Sequence, residues 1–143
     1  DQADRSCHSF SITGKPENVA DIHREIDLFC QQNGIPRNKG VLLAIAFEEA
    51  ALNTINHNEH VSMIDICLLL EEGSLIVRIR DDGAPFDPLA FVDDEDILQM
   101  NNIRLLERLT DQKTYTRIMN MNNTVLSIRL EAAENDGAND GTC

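Results

Sequence analysis

The chain lacks tryptophan, has one tyrosine and five phenylalanines, and is only 4% aromatic, so any core must be built mainly from aliphatic side chains. Cations are scarce. There are 12 Lys+Arg against 25 Asp+Glu, a formal net charge of -13. A surface of that sign does not neutralise phosphates, which excludes nucleic acid as a partner and suits encounter with a basic protein surface. No apolar run is long enough to cross a bilayer, so no membrane association is expected. No signal peptide is visible, although the chain opens on Asp1 without Met, which leaves room for a leader or an upstream segment. There is no CxxC pair. Cys7, Cys30, Cys67 and Cys143 are widely spaced and read as reduced thiols of a cytoplasmic protein, with Cys30 and Cys67 buried as small apolar residues. Glycine is missing from the whole interval between Gly83 and Gly137.

What remains is the composition of an ordinary folded domain, 42% hydrophobic and 26% charged over 143 residues. Residues 1–131 read as one domain. Residues 132–143 have no large apolar side chain and carry Glu134, Asp136 and Asp140, so a disordered acidic tail is expected there. His8 to Thr13 reads as a short strand. Gly14-Lys15-Pro16 turns the chain, and Val19, Ile22, Ile26, Phe29 and Cys30 recur at helical spacing, which predicts a helix from Glu17 to Gln32 ended by Gly34. A second helix is predicted from Arg37 to His57. Leu43, Phe47, Ala50, Ala51 and Thr54 form its sheet-facing flank, and Glu49, Asn53, Asn56 and His57 share another.

Val61 to Leu70 and Ser74 to Asp81 alternate in polarity around Glu71-Glu72-Gly73, an antiparallel hairpin. A long loop from Asp82 to about Met100 follows, with Asp93, Asp94, Glu95 and Asp96. A short helix is predicted at Asn102–Thr110. A second hairpin is predicted from Thr114–Met119 and Thr124–Leu130 around a loop at Asn120–Asn123. The order implies an α+β protein: a two-layer sandwich with a mostly antiparallel sheet and helices on one face.

Two stretches carry chemistry. Glu49 and Asn53 lie one helical turn apart. The Asn offers a neutral oxygen suited to Mg²⁺, the Glu can orient or deprotonate a hydroxyl, and His57, one turn further, can approach a phosphate. Taken alone, such a stripe is more often the wet side of a helix. Asp81 ends an alternating strand and can accept from an exocyclic amine. Gly83, in Asp81-Asp82-Gly83, lets a flat ring approach the backbone, although Asp-Asp-Gly is also common turn chemistry.

Together, Glu-x-x-x-Asn with His four residues on, a strand pair, and Asp81-Asp82-Gly83-Ala84-Pro85-Phe86-Asp87-Pro88 resemble the Bergerat-type (GHKL) ATP-binding superfamily of DNA gyrase, heat-shock chaperones, sensor histidine kinases and a mismatch-repair ATPase. The resemblance is nearest to the bacterial anti-sigma factor serine kinases and runs from about His8 to Leu130. It takes in Leu105 to Asp111 and the hairpin from Tyr115 to Ile128. It implies the Bergerat ATP-binding fold, with ATP and Mg²⁺ as cofactors. It implies that Glu49 is the catalytic glutamate, Asn53 the magnesium ligand, Asp81 the reader of the adenine amino group with Gly83 in the adjoining turn, Thr124 a holder of water near adenine, and His57 a helix-end neighbour of the nucleotide. The function it implies is phosphorylation of a serine on an anti-anti-sigma (STAS-type) protein and sequestration of a sigma factor, hence transcription regulation. Glu48 and Ile55, pointing away from both flanks, are candidate contacts for a sigma factor or for a second copy in a homodimer.

The likeness lapses where the family has a glycine-rich run before its last helix. Gln99-Met100-Asn101-Asn102 stands there, with Asn102 a candidate helix cap, and Asn56 lies near where relatives often carry arginine. An alternative follows: a non-catalytic interaction module that sequesters a regulator. A third reading, the ATPase half of a sensor histidine kinase, calls for an upstream dimerising helix with a phosphoacceptor His, which this sequence does not display.

Overall fold

The computed structural model describes residues 5–90 and 97–130. Five strands form one antiparallel sheet: β1 (Arg5–Thr13), β2 (Met63–Glu71), β3 (Ser74–Asp81), β4 (Gln112–Ile118) and β5 (Met121–Arg129), in the order β1-β2-β3-β5-β4. Three helices, α1 (Ala20–Gln32), α2 (Arg37–His57) and α3 (Ile97–Leu109), form the second layer. This is the α+β sandwich that alternation and helical spacing predict.

Alternation sets the inner sheet face. Ile12, Ile64, Ile66, Leu68, Leu75, Val77, Ile79, Leu126 and Ile128 are buried in one core with Ile22, Ile26 and Phe29 of α1 and Leu43 and Phe47 of α2. Pro16 begins a 3-10 turn (Pro16–Asn18), so α1 proper starts at Ala20, later than the predicted Glu17. At the other end Gly34 sits at φ 69, and Ile35 N–H reaches back to the Cys30 carbonyl at 3.0 Å, the glycine-stopped helix end. Helix α2 has the predicted bounds. Pro36 restrains its entry and extended Asn58 ends it. It packs on both α1 and α3, and the small Ala44, Ala46, Ala50 and Ala51 are all buried. A helix enclosed on several sides has no wet stripe at its middle, and Asn53 is 0% exposed.

Four expectations need correction. Helix α3 begins at Ile97, not Asn102, so Gln99 to Asn102 lies inside the helix and Asn102 is no cap. No glycine interrupts that stretch, and buried Met100 adds a core contact ahead of Ile103 and Leu106. Strand β5 begins at Met121. The β4–β5 turn is only Met119-Asn120, at φ 52 and 64, so Asn122 and Asn123 are strand residues and Thr124 does not open the strand. Cys30 is buried as expected, but Cys67 is only partly covered, because odd positions of β2 face away from the helices. Glu48 faces His23 of α1 at 3.3 Å and Ile55 packs against the core, so neither is an open contact face. The acidic run Asp93 to Asp96 and the tail 132–143 lie outside the described residues. No helix among the described residues is long and apolar enough to cross a membrane.

Candidate functional site

The sheet register builds the first half of the site. Ile64, Asp81 and Asn122 are aligned across β2, β3 and β5, and Ile66, Ile79 and Thr124 form the next row inward. These rows continue the buried face, so the alternation that buries Leu126 and Ile128 also buries Thr124 and Asn122. Asp81 is 1% exposed and Asn122 and Thr124 are 0% exposed. Asp81 Oδ1 accepts from Gly83 N–H at 2.9 Å and from Asn122 Nδ2 at 2.9 Å, with Asn58 Nδ2 within 3.5 Å. Its Oδ2 is buried with no hydrogen-bond partner among the described residues, as are Thr124 Oγ1 and Asn58 Oδ1.

Burial raises the Asp81 pKa above the ordinary carboxylate range, and hydrogen bonds from Asn122 and Gly83 offset this only in part. Adjacent Asp82 goes the other way. Burial pushes it up, but bonds from the Ser62 hydroxyl, Ser62 N–H (2.8 Å) and Met63 N–H (3.2 Å) outweigh that and lower its pKa. Asp82 therefore pins the start of β2, while Asp81 is held buried, with Oδ1 engaged and Oδ2 unsatisfied by the described residues.

Asn122 was not singled out from sequence. Its Nδ2 also donates to the Ala84 carbonyl at 2.8 Å, and its Oδ1 accepts from the Tyr115 hydroxyl, Arg117 Nη1 (3.0 Å) and Phe86 N–H (3.2 Å). Arg117 Nη1 also donates to the Gly83 carbonyl at 2.7 Å. The β4–β5 hairpin thus clasps the loop that follows Asp81. A Cβ on Gly83 would lie 2.5 Å from Asn58 Nδ2 and 2.6 Å from Val61 Cγ2, so glycine is required for the end of α2 to close on this turn.

The same loop reaches the second half of the site. Phe86 lies near-parallel to the His57 ring, with centroids 6.4 Å apart. Asn53 Nδ2 donates to the Pro88 carbonyl at 2.9 Å and to the Ala90 carbonyl at 2.8 Å. Two carbonyl acceptors fix which end of that amide is nitrogen, and leave Oδ1 buried with no partner among the described residues. Glu49, one turn earlier, is half-buried. The structure therefore joins Asp81, Gly83 and Thr124 in one cluster. Asn53 and His57 meet that cluster through the segment Gly83–Ala90.

Over residues 12–130 the sequence matches the family described as histidine kinase-like ATPase domain. A comparison with curated proteins finds no match. Among solved structures, the histidine kinase domain from Erythrobacter litoralis EL346 blue-light activated histidine kinase is similar, with a TM-score of 0.50 and 17% sequence identity. The alignment covers 84% of this chain and 62% of that one, so this chain spans under two thirds of that domain's length. At such identity the likeness speaks to the fold, an antiparallel sheet under a layer of helices.

Proposed function

Because the chain belongs to the histidine kinase-like ATPase domain family, we propose that it binds Mg-ATP between α2 and the Asp81 end of the sheet. In this reading it acts as an anti-sigma regulatory factor that phosphorylates a serine of an anti-anti-sigma (STAS-type) partner and otherwise holds a sigma factor. The observation that carries the nucleotide part is a set of buried polar atoms with no partner among the described residues: Asp81 Oδ2, Thr124 Oγ1 and Asn53 Oδ1. Each such atom costs roughly 1–3 kcal/mol if left unsatisfied. A base amino group on Asp81, a water or ring nitrogen on Thr124 and a hard cation on Asn53 would satisfy all of them. Support for the anti-sigma branch is the Phe86-Asp87-Pro88 run after the glycine turn.

In that reaction Asn53 Oδ1 would hold Mg²⁺, which when bound supplies charge neutralisation on phosphate oxygens. Asp81 and Thr124 anchor the base. The Glu49 carboxylate, one turn from Asn53, would take the proton from the partner's serine Oγ as that oxygen bonds to the γ-phosphorus and the bond from the γ-phosphorus to the β,γ-bridging oxygen breaks, releasing ADP. Calorimetric titration with Mg-ATP tests the binding step: the chain binds, and Asn53→Ala loses most of the magnesium dependence. No heat and no thermal shift with Mg-ATP would remove the nucleotide reading. For transfer, labelled phosphate should reach the STAS-type partner with the native chain and fail to do so with Glu49→Ala.

One observation favours a second reading, a binding module without chemistry. The stretch that aligns with the family's glycine-rich lid is helical, and it offers no glycine for backbone N–H groups to wrap phosphates. Nucleotide binding without phosphate transfer to any partner serine would select this reading over the first.

A further inference from the structure

A second side chain beside Asp81 has the features of a reader. Asn58 is the first residue beyond α2, in extended conformation at φ -128 and ψ 133. Its amide packs close to Gly83, where an added Cβ would come within 2.5 Å of Nδ2 and 2.8 Å of Cγ. Its Nδ2 is turned toward Asp81 Oδ1, within 3.5 Å, and a carboxylate there forbids the flipped amide, which would set oxygen against oxygen. That leaves Oδ1 as the free acceptor of the amide, and the atom is buried with no hydrogen-bond partner among the described residues. Asp81 Oδ2 is in the same condition. Asp81 Oδ1 is already engaged by Gly83 N–H and Asn122 Nδ2, so the carboxylate has one oxygen left to offer.

Two orphaned acceptors on neighbouring groups call for a ligand edge with two hydrogens to give. An exocyclic amino group has that chemistry. A ring carbonyl, as in a 6-oxopurine, would instead face both acceptors with a third. Resting on the nucleotide reading above, we infer that Asn58 is a specificity-determining residue. Its Oδ1 takes one hydrogen of the base amino group, directly or through one water, while Asp81 Oδ2 takes the other. The ligand class is a 6-aminopurine nucleotide with an unsubstituted amino group. Gly83 then has a further role, because only a residue without Cβ leaves room for Asn58 to lie there.

The test is calorimetric titration of the full chain with the magnesium salts of ATP, ITP and N6-methyl-ATP. In the native chain both analogues bind about 5- to 10-fold more weakly than ATP, or worse, since each removes a hydrogen that an acceptor needs. In Asn58→Ala, ATP weakens by a similar factor while N6-methyl-ATP is unchanged, so the gap between them closes. A gap of equal size in both proteins overturns the role of Asn58 and leaves the nucleotide site standing. Native chain that accepts N6-methyl-ATP as well as ATP overturns it too, with no variant needed. If the native chain binds none of the three, the nucleotide reading itself fails and takes this inference with it.

Discussion

Replacing Asn122 with alanine probes the site where it is most tightly determined. The Asn122 amide is fully buried and joins Asp81 Oδ1, the Ala84 carbonyl, Phe86 N–H, Tyr115 and Arg117. Not every loss counts equally. Phe86 N–H keeps the Tyr115 hydroxyl at 3.1 Å, Asp81 Oδ1 keeps Gly83 N–H, and Arg117 reaches solvent. The substantive losses are the charge-assisted bond to Asp81, at roughly 1.5–3 kcal/mol, and the bond to Ala84 with the small void left behind, at about 1 kcal/mol. Asn122→Ala is therefore expected to destabilise by about 3 kcal/mol, read as a drop in Tm of ~10 °C in a thermal melt. Asn122→Asp keeps the shape but sets a second carboxylate 2.9 Å from the first. Such a pair holds one proton between its members, so one folded-state pKa rises well above its unfolded value. The variant is then most stable in acid and loses stability as pH rises through that raised value, with urea melts at several pH values as the assay. An Asn122→Ala protein within 0.5 kcal/mol of the native one, or an Asn122→Asp protein with a flat pH profile, would refute this account of the cluster.

Other outcomes follow from neighbouring groups. Asp81→Asn removes a carboxylate whose pKa burial raises, a group that contributes most below its unfolded value and less as pH rises through the folded one. The variant should thus melt higher than the native chain at pH 7 and lose the part of the acid-to-neutral slope due to Asp81, yet bind no Mg-ATP by calorimetry. Gly83→Ala drives a Cβ to 2.5 Å from Asn58 and 2.6 Å from Val61, and is expected to cost about 2 kcal/mol by chemical denaturation. Burial pushes the Cys30 thiol up to about 11, so iodoacetamide at pH 8 should label exposed Cys7 quickly and Cys30 only on unfolding, resolved by peptide mass spectrometry.

Periodic elements were legible and contingent ones were not. The bounds of α2 follow from Pro36 before it and the end of its helical spacing at His57. The β2–β3 hairpin follows from alternation and Gly73. Asn122 was hidden because Asn120 to Asn123 resembles a loop, whereas Met119 and Asn120 alone make the turn, with a methionine at positive φ where glycine or asparagine is the usual signal. Once that turn is placed, the register puts Asn122 opposite Asp81. The early start of α3 was hidden by the acidic run before it, since charge argues for loop while the absence of glycine permits helix. Asn53 was legible as a polar residue at the right spacing, but its complete burial and its bonds to the Pro88 and Ala90 carbonyls come from a loop distant in sequence, which no local pattern encodes.

The short tether Gly83–Ala90 grips the sheet end through Asn122 and the helix through Asn53. The one segment thus links the two halves of the site. In the proposed reading this segment would join the purine end to the cation end, and any effect of purine on cation affinity would be returned by the same factor. In that reading the two ligands would share one strap of backbone, Gly83–Ala90.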